Sequence, residues 1–211
     1  MRLYLFRHGE TEHNAGRLAL GRQDVPLNER GRAQAQAIAR AYGSGAGIAA
    51  VYASPLQRTV ATATPLAEAL GLAVQTEPAL IEMDIGELEE LSFDDVRERY
   101  PDFVRRWLSD DCADAQMPGG ESLRQVQERA WPAIESIRGR HAEETVAVVT
   151  HNFVCLTTLC RVLHLSLERF RGFRHDLGAL SVLELTPERE TVVTLNDRCH
   201  LGRHGPFDSL L

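Results

Sequence analysis

LYLFRHGETEHN, residues 3–14, runs apolar without alternation and then breaks into an arginine, a histidine, a glycine and a glutamate. A strand that is apolar at every position is buried on both faces, as in a parallel sheet covered by helices, so Arg7 and His8 are expected where it leaves the sheet. In α/β proteins that carboxyl end is where ligands bind. TVAVVTHNF, residues 145–153, repeats the pattern and runs straight into His151. GIAAVYASP, residues 47–55, is a third apolar strand, halted by Ser54 and Pro55, with Arg58 soon after. If the three strands are parallel neighbours, these polar groups meet at one edge of the sheet.

Helices separate the strands. PLNERGRAQAQAIARAYG (26–43) predicts a helix with Asn28 as N-cap and Gly43 just past its end, with Ala33, Ala37, Ile38 and Ala41 on one face. LQRTVATATPLAEALG (56–71) predicts another that closes at Gly71 and carries Arg58 in its first turn. A short strand is expected near 72–74, then the acidic, irregular LIEMDIGELEE (80–90), then helical pieces over 93–114. MPGGES (117–122) is a turn that should start a helix over 121–138. ALSVLELT and ETVVTLND (179–186 and 190–197) predict two strands, antiparallel or at an edge because the turn between them is short. Strand and helix alternate through most of the chain, which predicts an α/β fold: a three-layer α/β/α sandwich with a mainly parallel central sheet.

Composition narrows the chemistry. The 211 residues, 44% hydrophobic, suffice for the core of one domain. A formal net charge of -7 and a pI near 5.6 argue against a nucleic-acid surface, so any anion site must be local. All 23 basic residues are arginine. The P-loop lysine, Schiff-base chemistry and a lysine base are thereby excluded, and phosphate must be handled by Arg and His. Cys112, Cys155, Cys160 and Cys199 form neither a CxxC nor a zinc spacing with the eight histidines, so free buried thiols, no disulfide and no metal are expected. No apolar run reaches transmembrane length and no signal region precedes the first strand, so a cytoplasmic protein without membrane contact is expected.

Two histidines and two arginines converging in an acidic chain suit a dianion, most commonly phosphate. Arg7 and Arg58 can each hold phosphoryl oxygens through charge-assisted hydrogen bonds, Gly9 permits close backbone approach, and Asn14 can add a neutral donor. A neutral imidazole in such a pocket can attack phosphorus, dividing one difficult displacement into two. The other imidazole, if protonated, would stabilise the equatorial oxygens. A carboxyl must protonate the leaving oxygen and later deprotonate the attacking water, and Glu82 is the candidate, with Glu10 and Glu87 in reserve.

In order, RHGETEHN (7–14), GRQDVPLNERGRAQA (21–35), YASPLQRTVATA (52–63), LIEMDIGELE (80–89), PGGES (118–122) and VVTHN (148–152) resemble the successive signatures of the histidine phosphatase superfamily, the phosphoglycerate mutase-like family. The resemblance covers nearly the whole chain. It implies one domain over 1–211 with a cap-like insertion around 83–118, and a phosphohistidine at His8. It further implies phosphate contacts from Arg7, Arg58 and His151, support from Asn14, proton transfer by Glu82, and no metal or organic cofactor. The expected partner is a small phosphorylated metabolite, with a homodimer left open.

The chain departs from the family pattern in two places. Gly86, Glu87, Leu88, Glu89 and Glu90 stand where many relatives read glycine-x-tryptophan-glutamate-glycine, and Asn152 stands where glycine is common after the second histidine, so that its side chain can touch the phosphate. Arg22 and Gln23 lie on the loop expected at the mouth with Leu18, Leu20, Met83 and Leu88, where Arg22 can bind a substrate carboxylate or remain a solvated surface side chain. The mutase insertion of the family type is missing from 92–117, which favours a phosphatase acting on phosphoserine, α-ribazole phosphate, a phosphoglycerate or a phosphosugar. A phosphoglycerate mutase is the alternative, and a non-catalytic phosphate-binding member a minor one.

Two other readings compete. Cys155 and Arg161 have the C-x5-R spacing of cysteine phosphatases, but CLTTLCR lacks glycine and carries helical phase, so the match is read as chance. His13, His141, His164, His175, His200 and His204 are read as structural. The tail LNDRCHL (195–201) is expected either to fold back near the mouth or to lie on the surface.

Overall fold

The structure is a computed structural model that describes residues 1–202, so His204 and the end of the 1–211 span lie outside the described residues. The chain runs β1 (Arg2–Arg7), α1 (Glu12–Ala15), α2 (Glu29–Tyr42), β2 (Ile48–Ala53), α3 (Gln57–Leu70) and β3 (Val74–Thr76). It continues through α4 (Phe93–Arg99), α5 (Pro101–Trp107), α6 (Leu123–Arg140), β4 (Thr145–Thr150), α7 (Asn152–Val162), β5 (Leu180–Leu185) and β6 (Glu190–Asp197). These form a six-stranded sheet in the order β3-β2-β4-β1-β5-β6. β1 to β4 are parallel, while β5 runs antiparallel to β1 and β6 antiparallel to β5 at the edge.

Alternate strand residues build the two faces. Leu3, Leu5, Tyr52, Val146 and Val148 enter one buried cluster with Ile134 and Ile137 of α6 and Leu156 and Leu159 of α7. Phe6, Val51, Ala147 and Val149 enter the other with Ile38 of α2 and Ala63 and Leu66 of α3. Burying side chains of this size contributes roughly 1.5–3 kcal/mol each, and the apolar runs of the sequence supply both layers. The three-layer α/β/α sandwich follows. Residues of the 83–118 segment, among them Met83, Ile85, Leu88, Val96, Val104 and Met117, join the cluster on the α6–α7 face. Met83 and Leu88 are therefore buried core rather than the mouth lining expected from sequence.

Local chemistry shifts several boundaries. Asn28 accepts from the Gly31 N–H and Ala37 and Ile38 are buried, both as expected, but the buried side of α2 also takes in Gly31, Gln34, Ala35 and Ala39, while Ala33 and Ala41 face solvent. The helix is turned because Gly31 packs against the loop after β1: a Cβ on Gly9 would stand 2.6 Å from the Gly31 carbonyl oxygen. β3 begins later than expected because the Leu72 N–H closes α3 onto Ala67. α6 begins at Leu123 because Ser122 caps it, accepting from the Gln125 N–H. Cys112, Cys155 and Cys160 are free and buried, whereas Cys199 is exposed because it lies in the short turn after β6. Among the described residues no helix is long and apolar enough to cross a membrane.

Candidate active site

β1 and β2 flank β4, so the ends of the three strands lie side by side. Pairing continues past their last residues, with the His8 N–H donating to Thr150 O and the Ser54 N–H to Val149 O. This brings the His8 and His151 rings to a centroid separation of 5.2 Å. Both histidines are buried.

His8 Nδ1 lies 2.7 Å from the Gly9 carbonyl oxygen. A carbonyl only accepts, so Nδ1 carries the proton and Nε2 of the neutral ring keeps its lone pair. Burial, then the Arg58 and Arg7 charges, hold the His8 pKa well below the ordinary imidazole range. The neutral, nucleophilic form is therefore the resting one. His151 Nε2 lies 2.7 Å from Ser54 Oγ, and its pKa is likewise depressed by burial, then by Arg58, His8 and Arg7. A dianion between the rings would reverse the field of the arginines and favour protonation of His151.

Arg58 is fully buried in the first turn of α3. Its Nη1 donates to Gln23 O at 2.8 Å and its Nη2 to Gly21 O at 2.6 Å. Burial lowers its pKa to about 10, partly opposed by Glu82 and Glu89, so it stays cationic at neutral pH. Arg7 Nη1 donates to His175 O at 2.8 Å. His175 is itself buried, and burial, with Arg7 adding to it, pushes its pKa down to about 3.

Glu82 is buried on the irregular segment after β3, which Thr150 Oγ1 ties to the end of β4 by donating to Leu80 O at 2.7 Å. Its Oε1 accepts the N–H groups of Met83 at 2.8 Å and Phe153 at 3.2 Å. Burial raises its pKa, with the Met83 N–H and then Arg58, Arg7 and Arg129 opposing. Its proton is thus retained to higher pH than on an ordinary carboxyl. Glu10, by contrast, is taken up by Asn28 and Arg30 at the start of α2, and Glu87 accepts the Tyr100 hydroxyl at the exposed rim.

The remaining sequence candidates have other partners. Asn14 Oδ1 accepts the Thr11 N–H and hydroxyl in the cap of α1, leaving its amide nitrogen as the donor. Asn152 is half-buried at the start of α7. The Gln23 side chain donates to Glu90 while its carbonyl holds Arg58. Arg22 pairs with Asp84 and Glu121 and donates through Nε to Glu82 O at 3.2 Å. It is partly exposed and already paired with two carboxylates of its own chain. Arg129 donates to the same Glu82 carbonyl at 2.9 Å and is also paired with Glu121. Sequence reasoning did not assign roles to Arg129, Glu121 or Glu89, because their partners lie on distant segments.

The C-x5-R pair dissolves in the fold. The Cys155 thiol is pushed up by burial, so no thiolate forms, and Arg161 stacks over the Trp131 ring. The tail does fold back, behind the site. Asn196 and Arg198 grip Asp176, His200 lies against Gly178 O, and the Gly178 N–H donates to the carbonyls of Arg7 and His8.

A sequence model described as histidine phosphatase superfamily (branch 1) matches residues 3–198. Phosphoserine phosphatase 1 of Hydrogenobacter thermophilus is 36% identical over 202 residues, covering 96% of this chain and 95% of the relative. Phosphoglycerate mutase-like protein 4 of Arabidopsis thaliana is 33% identical over 192 residues, covering 85% and 83%. The solved α-ribazole phosphatase of Shigella flexneri superimposes with a TM-score of 0.83 at 27% identity, covering 93% of this chain and 96% of that one.

Proposed function

The chain belongs to the histidine phosphatase superfamily, and we propose that it hydrolyses a phosphomonoester of a small metabolite through a phosphohistidine on His8. The observation that carries this reading is the 2.7 Å contact from His8 Nδ1 to Gly9 O, which leaves Nε2 as the nucleophile between two buried or half-buried arginines. Relatives named as phosphatases support the same class.

In this mechanism Arg7, Arg58 and His151 hold the phosphoryl oxygens, with the Asn14 and Asn152 amides as further neutral donors. His8 Nε2 attacks phosphorus in line, the P–O bond to the leaving group breaks, and Glu82 delivers its proton to the departing oxygen. The alcohol leaves, and a water takes its place. Glu82, now a carboxylate, accepts a proton from that water as its oxygen attacks phosphorus, the P–N bond breaks, and phosphate and neutral His8 are regenerated. Burial favours the first step, because it holds the His8 pKa down and pushes the Glu82 pKa up.

The family relative named mutase-like is the ground for the second reading, in which the phosphohistidine is passed to another metabolite hydroxyl instead of water. One experiment separates the two: a panel of phosphomonoesters, including phosphoserine, 2- and 3-phosphoglycerate, α-ribazole phosphate and sugar phosphates, assayed with chelator for free phosphate and for isomer. Release of phosphate from one ester far ahead of the others supports the phosphatase and names its substrate. Isomer without free phosphate selects the mutase, and loss of turnover in chelator refutes the metal-independent mechanism.

A further inference from the structure

Glu89 lies directly behind Arg58 and has no part in the mechanism above. Its carboxylate accepts three consecutive backbone N–H groups, from Gly21 to Oε2 at 3.0 Å and from Arg22 and Gln23 to Oε1 at 2.6 and 3.2 Å. The carbonyls of Gly21 and Gln23 are those that accept from Arg58. The loop 21–23 is thus held between a carboxylate and a guanidinium.

One peptide group makes the connection. The Gly21 carbonyl and the Arg22 N–H belong to the same planar unit, and in a trans peptide they point in opposite directions. No cis peptide occurs among the described residues. With the N–H directed at Glu89, the carbonyl must face away from it, toward Arg58. Close approach is built in, since a Cβ on Gly21 would stand 2.7 Å from Glu89 Oε1 and 2.8 Å from Met83 O. A guanidinium offers five N–H bonds, and two are taken by the loop. Arg58 Nε is buried with no protein partner.

We propose that Glu89 is a positioning residue for Arg58. It sets the peptide planes of loop 21–23, so that two carbonyls fix the terminal nitrogens of the guanidinium and Nε–H remains for a phosphoryl oxygen. The inference rests on the phosphate-binding role given to Arg58 above. Glu89 acts on the phosphate through the loop, while its neighbour Glu90 holds the Gln23 side chain and His13.

The test is inorganic phosphate affinity by titration calorimetry, which needs no turnover, together with kcat and KM on p-nitrophenyl phosphate. Glu89→Ala is expected to weaken phosphate binding and kcat/KM by about tenfold or more, as misplacement of a transition-state contact does. Glu89→Gln, which keeps one acceptor oxygen but not the charge, should fall between Ala and the parent, and Glu90→Gln should match the parent. In an Arg58→Ala background Glu89→Ala should add less than about twofold, because residues acting through one another are not additive.

Unchanged phosphate affinity in folded Glu89→Ala, or full multiplication of the two losses, overturns the proposal. If Glu89→Ala does not fold, Glu89→Gln carries the same comparison, alone and with Arg58→Ala. An inactive parent that binds phosphate in a Glu89-dependent way would refute the hydrolase and leave the positioning role standing.

Discussion

Glu82 Oε1 accepts the backbone N–H of Phe153 at 3.2 Å, across 71 residues of chain. His151, the N-cap of α7, makes no side-chain cap of its own, so the candidate acid satisfies one of the N–H groups that open the helix. Glu82 and His151 are thereby placed by the same turn of backbone.

Because Gln offers an oxygen to the same two N–H groups, Glu82→Gln should fold normally. It should slow hydrolysis of an alkyl phosphate by roughly 10²–10⁴-fold. p-Nitrophenyl phosphate, whose leaving group needs little protonation, should lose far less. Equal losses in kcat on the two esters would remove Glu82 from the acid role.

Replacing the nucleophile separates it from the rival thiol. His8→Ala should abolish turnover while phosphate still binds through Arg7, Arg58 and His151, and Cys155→Ser should leave kcat within about twofold, since a buried neutral thiol offers no thiolate. Acid-labile phosphate on the protein after a rapid quench should appear in the parent and vanish in His8→Ala. The opposite pattern across the two variants would refute the histidine mechanism.

In water an imidazole, with pKa about 6.5, protonates before a carboxylate of about 4.3 does, so a neutral histidine beside a protonated carboxyl is a minor state. Here burial and the arginines lower His8 while burial raises Glu82, which brings the required pair together. The kcat/KM profile should therefore keep its acid limb below the ordinary histidine range and its alkaline limb above the ordinary carboxylate range. Glu82→Gln should erase the alkaline limb. The shifts also act on stability. His8 and His151 have depressed pKa values, so their contribution is complete above about pH 6.5 and is lost as pH falls toward the folded values, and Tm should drop on that side.

The tail acts on Arg7 at one remove. Asn196 accepts the Asp176 N–H at 2.7 Å and donates to its carboxylate, at φ 54, next to the His175 carbonyl that holds Arg7. Asn196→Gly keeps the backbone accessible and removes the clamp. It should lower stability by about 1–3 kcal/mol in a denaturant titration and weaken phosphate binding several-fold. Lost stability with unchanged phosphate affinity would confine the tail to a structural role.

Much of the fold is legible because its signals are local. Asn28 and Gly43 bound α2 through groups within a turn of themselves, and three unbroken apolar runs require a sheet covered on both faces. For α2 a distant contact was responsible for the misplaced face: Gly31 meeting Gly9 turned the helix away from Ala33 and Ala41. Among the site residues, His8, Arg7, Arg58 and His151 were visible as polar groups ending apolar strands. The carboxylates were not separable in that way, because Glu10, Glu82, Glu87 and Glu89 differ in their partners and burial rather than in their neighbours.

The sequence by itself determined the strands, their ends, and the arginine and histidine chemistry placed there, since apolar runs, caps and side-chain type act over a few residues. Tertiary structure alone decided that Glu82 is buried against the start of α7 while Glu10, also buried, is paired with Asn28 and Arg30, that Arg22 braces the Glu82 carbonyl, and that Glu89 lies behind Arg58. Desolvation and charge pairing set those roles, and both depend on segments that meet only when the sheet and its helices have packed.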